Sequence, residues 1–299
     1  MSRSTRWFLV ILGMLALFAF GVTIVILSVV GTGDRSTITS GFGDKIGLVE
    51  IKGVISSSEN TVRQIKSYRE DSSVRALLLR IDSPGGGVAA SQEIYEEVRK
   101  TRDSGTPVVV SMGAIAASGG YYIACGASRI VANRGTLTGS IGVISEFLQV
   151  SEALGKLGVS VNTIKAGALK DAGSPTKEMT AQDRAYFQAL MDEVHEQFIG
   201  VVAAERQMTR EEVRPLADGS VMTGEAAVAA GLIDTVGTYE DAMLIAAEMA
   251  GIEGEPALVR ERVRRSFWDG LFGETEEAVA NAARELLDRP VLSYRYVGP

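Results

Sequence analysis

From residue 46 onward, short runs of apolar, β-branched residues alternate with longer stretches whose apolar positions recur every three or four residues. Ile46–Ile51 and Ala76–Ile81 (ALLLRI) predict strands. Thr61–Tyr68 and Ala89–Arg102 predict helices. The second sets Ile94 and Val98 on one face and Glu93, Glu96, Glu97 and Arg99 on the other. Pro107 opens a strand over Val108–Ser111, and Ala116–Cys125 reads as a buried helix. Ile130–Ala132 and Val161–Ile164 are further short strands. Thr180 with Asp183, and Thr209 with Glu212, have the spacing of a capping box, and the helix opened by the first runs to about Arg206. Strands alternating with helices predict an α/β fold with a mainly parallel sheet flanked by helices. Residues 46–250 read as one domain without an internal repeat.

The two ends differ from this pattern. Trp7–Val30 is 24 residues without a charge, and about 20 helical residues span a bilayer core. Ala19-Phe20-Gly21 resembles a cleavage site, but the stretch is longer than the apolar region of a cleaved signal, so a retained anchor is expected. Arg3, Arg6 and the terminal amine precede it, whereas Asp34 and Arg35 cancel after it. The positive-inside rule places residues 1–6 in the cytoplasm and the remainder across the cell membrane. Residues 31–45 are rich in Gly, Ser and Thr and read as a flexible linker. In the tail, 251–299, four arginines (260, 262, 264 and 265) lead into Phe267, Trp268, Leu271 and Phe272, and 274–288 has helical character. Acidic residues follow closely, so packing against a neighbouring subunit suits this tail better than a lipid surface.

A net charge of −7 and a pI near 5.0 oppose a role in holding phosphate backbones, so no nucleic-acid partner is expected. With one cysteine and one histidine there is no intrachain disulfide, and a Cys/His metal site runs out of ligands; neither metal nor cofactor is expected. Cys125 reads as a small buried packer. His195, in a helical row with Phe187, Met191, Val194 and Phe198, reads as a helix-surface residue.

Three segments carry candidate chemistry. Asp82-Ser83-Pro84-Gly85-Gly86-Gly87 follows a strand and precedes a helix, and its glycines leave backbone N–H groups free to meet an anion. The Lys-Ser/Thr that completes a phosphate loop is missing. Ser118 lies in Ala116-Ala117-Ser118-Gly119-Gly120-Tyr121-Tyr122, among small residues where a substrate can approach. That suits a nucleophile on a strand-to-helix turn, and equally an ordinary helix N-cap. Lys165-Ala166-Gly167-Ala168-Leu169-Lys170-Asp171 offers lysines that act as bases only where burial or a cationic neighbour disfavours the charge.

Taken together, SMG followed by AASGGYYIA, the SPGGG turn, TLTGSIGVI at 136–144, KAGALKD, and GSVMTGEAAVAAGLID at 219–234 resemble signal peptide peptidase A in its short, single-repeat form. The match runs through 46–245. The resemblance implies a fold shared with Clp protease and the crotonases, with Ser118 as nucleophile and Lys170 as general base. It further implies that Ser140 orients the lysine, that the Gly86 and Gly119 N–H groups form the oxyanion hole, and that no cofactor takes part. It implies a homo-octamer with serine and lysine from adjacent subunits, and remnant signal peptides as the peptide substrates.

Acyl transfer needs a nucleophile, a base in reach and donors for the oxyanion, and a lysine base suits a chain with one histidine. Three other functions share these features: a related Ser/Lys protease acting on other membrane proteins, a crotonase-like acyl-CoA enzyme, and a tethered assembly protein without catalysis.

Overall fold

A computed structural model describes residues 37–39, 44–254, 256–261 and 293–296. The chain forms two units. One comprises Met1–Ile38 and Glu261–Glu274, nearly all outside the described residues; the other, Thr39–Arg260 and Thr275–Pro299, carries the fold below. The anchor expected at 7–30 and the helix expected at 274–288 lie outside the described residues. Among the described residues, no helix is long and apolar enough to cross a membrane.

After a short strand β1 (Thr37–Thr39), β2 (Lys45–Lys52) leads through α1 (Glu59–Glu70) to β3 (Val74–Ser83). The glycine strand β4 (Gly85–Gly87) and α2 (Val88–Asp103) come next, followed by β5 (Val108–Ala117), α3 (Gly119–Cys125), β6 (Arg129–Ala132) and β7 (Leu137–Gly139). An excursion contains α4 (Ser151–Lys156) and the long helix α5 (Ala181–Glu205). The chain then makes α6 (Arg210–Val213), β8 (Val221–Thr223), α7 (Gly224–Ala229), β9 (Thr235–Val236), α8 (Tyr239–Ala250), β10 (Ala257–Glu261) and β11 (Ser293–Arg295).

β10, β2, β3, β5, β6 and β9 pair in that order, all in parallel, while β7 continues beside the far end of β5 and pairs antiparallel with β8. The run ALLLRI is apolar throughout because the sheet is covered on both faces. Leu77, Leu79 and Ile81 point into a core with α2, α3 and α5, whereas Ala76 and Leu78 meet Ala242, Met243 and Ala246 of α8. Thr180 accepts from the Asp183 N–H while Asp183 caps back onto the Thr180 N–H, which starts α5 as its sequence predicts.

Three sequence expectations change. β5 runs through Ala117, so the helix expected from Ala116 starts at Gly119. Residues 161–164 form no strand: Val161 and Ile164 are exposed, and no strand in the described residues pairs with them. The fold also continues past residue 250, since β10 joins the sheet and β11 pairs with β4.

Leu79 is completely buried at the centre of the sheet. Leu79→Ala should lower the unfolding free energy by about 2–5 kcal/mol in urea titration.

Candidate active site

Ser118 forms the corner between β5 and α3, and the corner is strained. Its φ of 52° and ψ of −115° belong to a region that side-chain-bearing residues avoid. Backbone bonds hold it there. The Ser118 N–H donates to the Gly139 carbonyl at 2.8 Å, and the Ser118 carbonyl accepts from the Tyr122 N–H at 2.8 Å. The side chain is fully buried, makes no cap to α3, and its Oγ has no hydrogen-bond partner among the described residues. The geometry therefore removes the N-cap reading and leaves a buried, unoccupied hydroxyl on a strained turn.

The glycine strand runs alongside. Ser83 Oγ donates to the Gly53 carbonyl at 2.6 Å and accepts from the Gly85 N–H at 3.1 Å, which turns the chain at Gly85 with φ of 99°. Ile55 closes one edge: its N–H donates to the Gly85 carbonyl at 2.9 Å, and its carbonyl accepts from the Gly87 N–H at 2.8 Å. A methyl group on Gly86 would stand 2.1 Å from the Ile55 carbonyl oxygen, so no larger residue fits. Because successive peptide groups alternate along a strand, the Gly86 N–H faces the other edge. Gly119 approaches from there; a methyl group on it would lie 3.2 Å from the Gly86 nitrogen. The structure thus brings the Gly86 and Gly119 amides together next to Ser118.

Ser140 occupies a second corner, with φ of 51°. Its N–H donates to the Ser220 carbonyl at 2.8 Å, and its Oγ donates to the Gly219 carbonyl at 3.0 Å. With its proton committed, the Ser140 oxygen is left to accept, as the orienter of an amine must. It lines a cavity of about 470 Å³ together with Asp192, His195 and Asp218. His195 is half-buried against this cavity, its Nε2 3.3 Å from the Ile141 carbonyl oxygen, and so departs from the surface position that helical periodicity implied. Ser118 Oγ has no bond to it.

Lys170 lies elsewhere in its surroundings. It is exposed, on a loop fastened by Asp171, which takes bonds from Lys165 at 2.5 Å and Lys177 at 3.0 Å; Lys177 also reaches Asp183 at 2.9 Å. Within one chain, Ser118 and Lys170 make no hydrogen bond. Cys125 is buried as the last residue of α3, and burial pushes its thiol up to about 12, which suits a packing residue and not a nucleophile. Ile55 and Tyr294 are the neighbours that sequence reading missed. Neither carries a local motif, and Tyr294 meets the glycine strand from more than 200 residues away.

Two measurements follow from this geometry. Ser118→Gly should relieve the strained turn and raise the unfolding free energy by about 1–3 kcal/mol in urea titration, with Ser118→Ala gaining less. The Lys165 bond to Asp171 and the Lys177 bond to Asp183 hold both carboxyls below their ordinary value of 3.8. The ties they make are therefore complete above that value and lost as pH falls through the lowered ones. Protection factors over 165–177, with the intrinsic exchange rate at each pH divided out, should stay constant from neutral pH to about pH 4 and fall only below that, whereas Asp171→Asn should lower them throughout.

Sequence comparison gives the same geometry a family. The model for peptidase family S49 matches residues 100–253, and that for Clp protease matches 50–144. The chain is 43% identical over 210 residues to a protein of Synechocystis sp. named as a protease, covering 70% of this chain and 76% of that one. It is 36% identical to Protease 4 of Salmonella typhi, over 79% of this chain and 38% of that one. It is 41% identical to a protein of Enterococcus faecium named for signal peptide peptidase SppA, over 62% and 54%. The chain thus spans about three quarters of the first relative and roughly half or less of the other two. The matched residues include both strained serine corners and the Lys170 loop, and the chain belongs to peptidase family S49 as a serine peptidase with a Clp-like α/β fold.

Proposed function

We propose that this chain is a membrane-anchored serine endopeptidase that degrades remnant signal peptides through an acyl-enzyme, with Ser118 as nucleophile and Lys170 as general base. The observation that carries this reading is the buried, partnerless Ser118 hydroxyl on a positive-φ corner, flanked by the Gly86 and Gly119 amides. Ser118 Oγ attacks the scissile carbonyl carbon while its proton passes to the neutral amine of Lys170. The developing oxyanion accepts from the Gly86 and Gly119 N–H groups. Collapse expels the amine of the leaving peptide, which takes the proton from Lys170. Water, deprotonated by the same lysine, then attacks the acyl carbon, and Ser118 Oγ leaves with that proton as the acid is released. Ser140 Oγ accepts from the lysine amine and aims it.

Lys170 comes from a neighbouring chain on this reading. Its exposure supports that, as do the bare side chains of Leu157, Val159, Val161 and Ile164 on the same excursion, which water alone would not keep exposed. An octameric ring with one Ser118–Lys170 pair at each boundary satisfies both, because a head-to-tail interface that closes makes a ring. The apolar segment 7–30 would hold the ring at the extracytoplasmic face of the cell membrane, near the peptides left after secretion. The names of the Salmonella and Enterococcus relatives support peptide and signal-peptide substrates respectively.

The test is complementation between dead variants of the full-length chain in detergent. A fluorophosphonate should label wild type at Ser118 and leave Ser118→Ala unlabelled, and both Ser118→Ala and Lys170→Ala should lose hydrolysis of an apolar peptide ester. After subunit exchange, a mixture of the two should regain part of the activity, since some boundaries pair an intact serine with an intact lysine. No recovery despite exchange shown by light scattering and tagged pull-down would mean that the two residues do not act across a boundary.

A further inference from the structure

Asp218 has no part in the reaction described above, yet it ties down one of the two carbonyls that hold Ser140. The Ser220 carbonyl takes the Ser140 N–H at 2.8 Å, and the Gly219 carbonyl takes the Ser140 Oγ proton at 3.0 Å. The first is fixed independently, because Ser220 leads straight into β8, where Val221 pairs with Gly139. The second is not. Gly219 precedes the strand with φ of 86°, and a methyl group added to it would meet nothing within 4 Å. Gly142 lies close, since a methyl group on it would stand 3.2 Å from the Gly219 α-carbon, but it offers no side chain to hold the turn. Asp218 closes the turn instead. Its Oδ1 accepts from the Ser220 N–H at 2.9 Å, which spans Gly219 and sets the direction of its carbonyl. The Ser220 hydroxyl, and then the Ser220 N–H, hold the Asp218 carboxyl below its ordinary value of 3.8, so it is an ionised acceptor at neutral pH.

The direction of that carbonyl decides what Ser140 can do for a base. A hydroxyl has one proton to give and two sites that accept, whereas a neutral amine has N–H groups to give and one lone pair. While the Gly219 carbonyl takes the hydroxyl proton, Ser140 meets an amine only as an acceptor, and the lone pair stays open for the Ser118 proton. With the carbonyl turned away, the same hydroxyl is free to donate to the lone pair and so to occupy the base. We infer that Asp218 is a positioning residue, fixing through the Gly219 carbonyl the direction of the hydrogen bond between Ser140 and the lysine amine. This rests on the roles proposed above for Ser118, Lys170 and Ser140. Asp218 also lines the cavity that Ser140 opens onto, so its charge is a second route by which it would act on an amine there. Removing the charge while keeping the acceptor oxygen separates the two.

The experiment compares variants of the full-length chain in detergent, with the apolar peptide ester as substrate. Asp218→Ala should lower kcat about 10–100-fold and leave KM within about 2-fold, since only proton transfer suffers. Asp218→Asn keeps an oxygen for the Ser220 N–H and should stay within about 3-fold of wild type. Ser140→Ala should fall at least as far as Asp218→Ala. Adding Asp218→Ala to it should cost less than about 2-fold more, because the residue through which Asp218 acts is gone. Hydrogen exchange at the Ser140 amide should not change in Asp218→Ala, since the Ser220 carbonyl still holds that amide. An Asp218→Ala variant as active as wild type, beside an impaired Ser140→Ala, would overturn the inference and leave the proposed function standing. Additive losses in the double variant would overturn it by placing the effect away from Ser140. An asparagine variant as poor as the alanine one would overturn it by making the effect one of charge. Lost protection at the Ser140 amide would do so by making Asp218 a residue of the fold alone. Ser140→Ala with full activity would remove the lysine-orienting role itself, and this inference with it.

Discussion

The bond from the Ser118 N–H to the Gly139 carbonyl ties together two corners that would each relax alone. It is the last rung between the ends of β5 and β7, continuing the pairing of Ala117 with Gly139. On one side it keeps Ser118 in a backbone conformation that serine avoids; on the other it fixes the residue just before Ser140, whose φ is also positive. β8 braces the arrangement from beyond, with Val221 opposite Gly139 and the Ser220 carbonyl taking the Ser140 N–H. Two hydroxyls are thereby set by strand register and not by side-chain packing. Strain of this kind survives only where the surroundings over-determine it, and here a parallel sheet buried on both faces does so.

The same register explains how much could be read from the sequence. The strands around ALLLRI, the helix with Ile94 and Val98, and the cap at Thr180 were legible because each has its own period or its own local chemistry. Ser118 and Ser140 were identifiable only as members of a family pattern; a serine among small residues is an N-cap as readily as a nucleophile, and the torsion that removes the N-cap bond is invisible in the sequence. The boundary at Ala116 failed for a related reason. Alanine serves strand and helix alike, and pairing with Ser83 and Thr138 keeps Ala116 in the sheet. Val161–Ile164 shows the reverse, since β-branched residues make a strand only where another strand offers its hydrogen bonds.

His195 and Tyr294 illustrate what neither periodicity nor motif reports. His195 faces inward because α5 lies against the Ser140 corner, a contact set by the whole excursion from 140 to 180. Tyr294 enters an aromatic cluster with Tyr122 and Phe198, while Tyr95 packs edge-on against Tyr122 at 5.2 Å. Those rings come from α2, α3, α5 and the end of the chain, and a sequence gives no sign that they meet.

A strand built from glycines has consequences for what can lie along it. Gly85–Gly87 presents backbone and no side chains, so a segment beside it, as β11 is, is held by main-chain pairing, which any extended sequence supplies. On the proposed function, discrimination between peptides then comes largely from access. Main-chain pairing demands several residues stripped of their own partners, which a folded protein does not offer and an unfolded remnant does. The exposed Lys170 adds a second restriction. On the proposed assignment, a chain whose base, Lys170, is exposed to water and whose nucleophile, Ser118, has no partner of its own is chemically incomplete by itself. On the same proposal, coupling that base to a neighbour's loop makes proteolysis a property of the assembled ring, silent until its sites are enclosed.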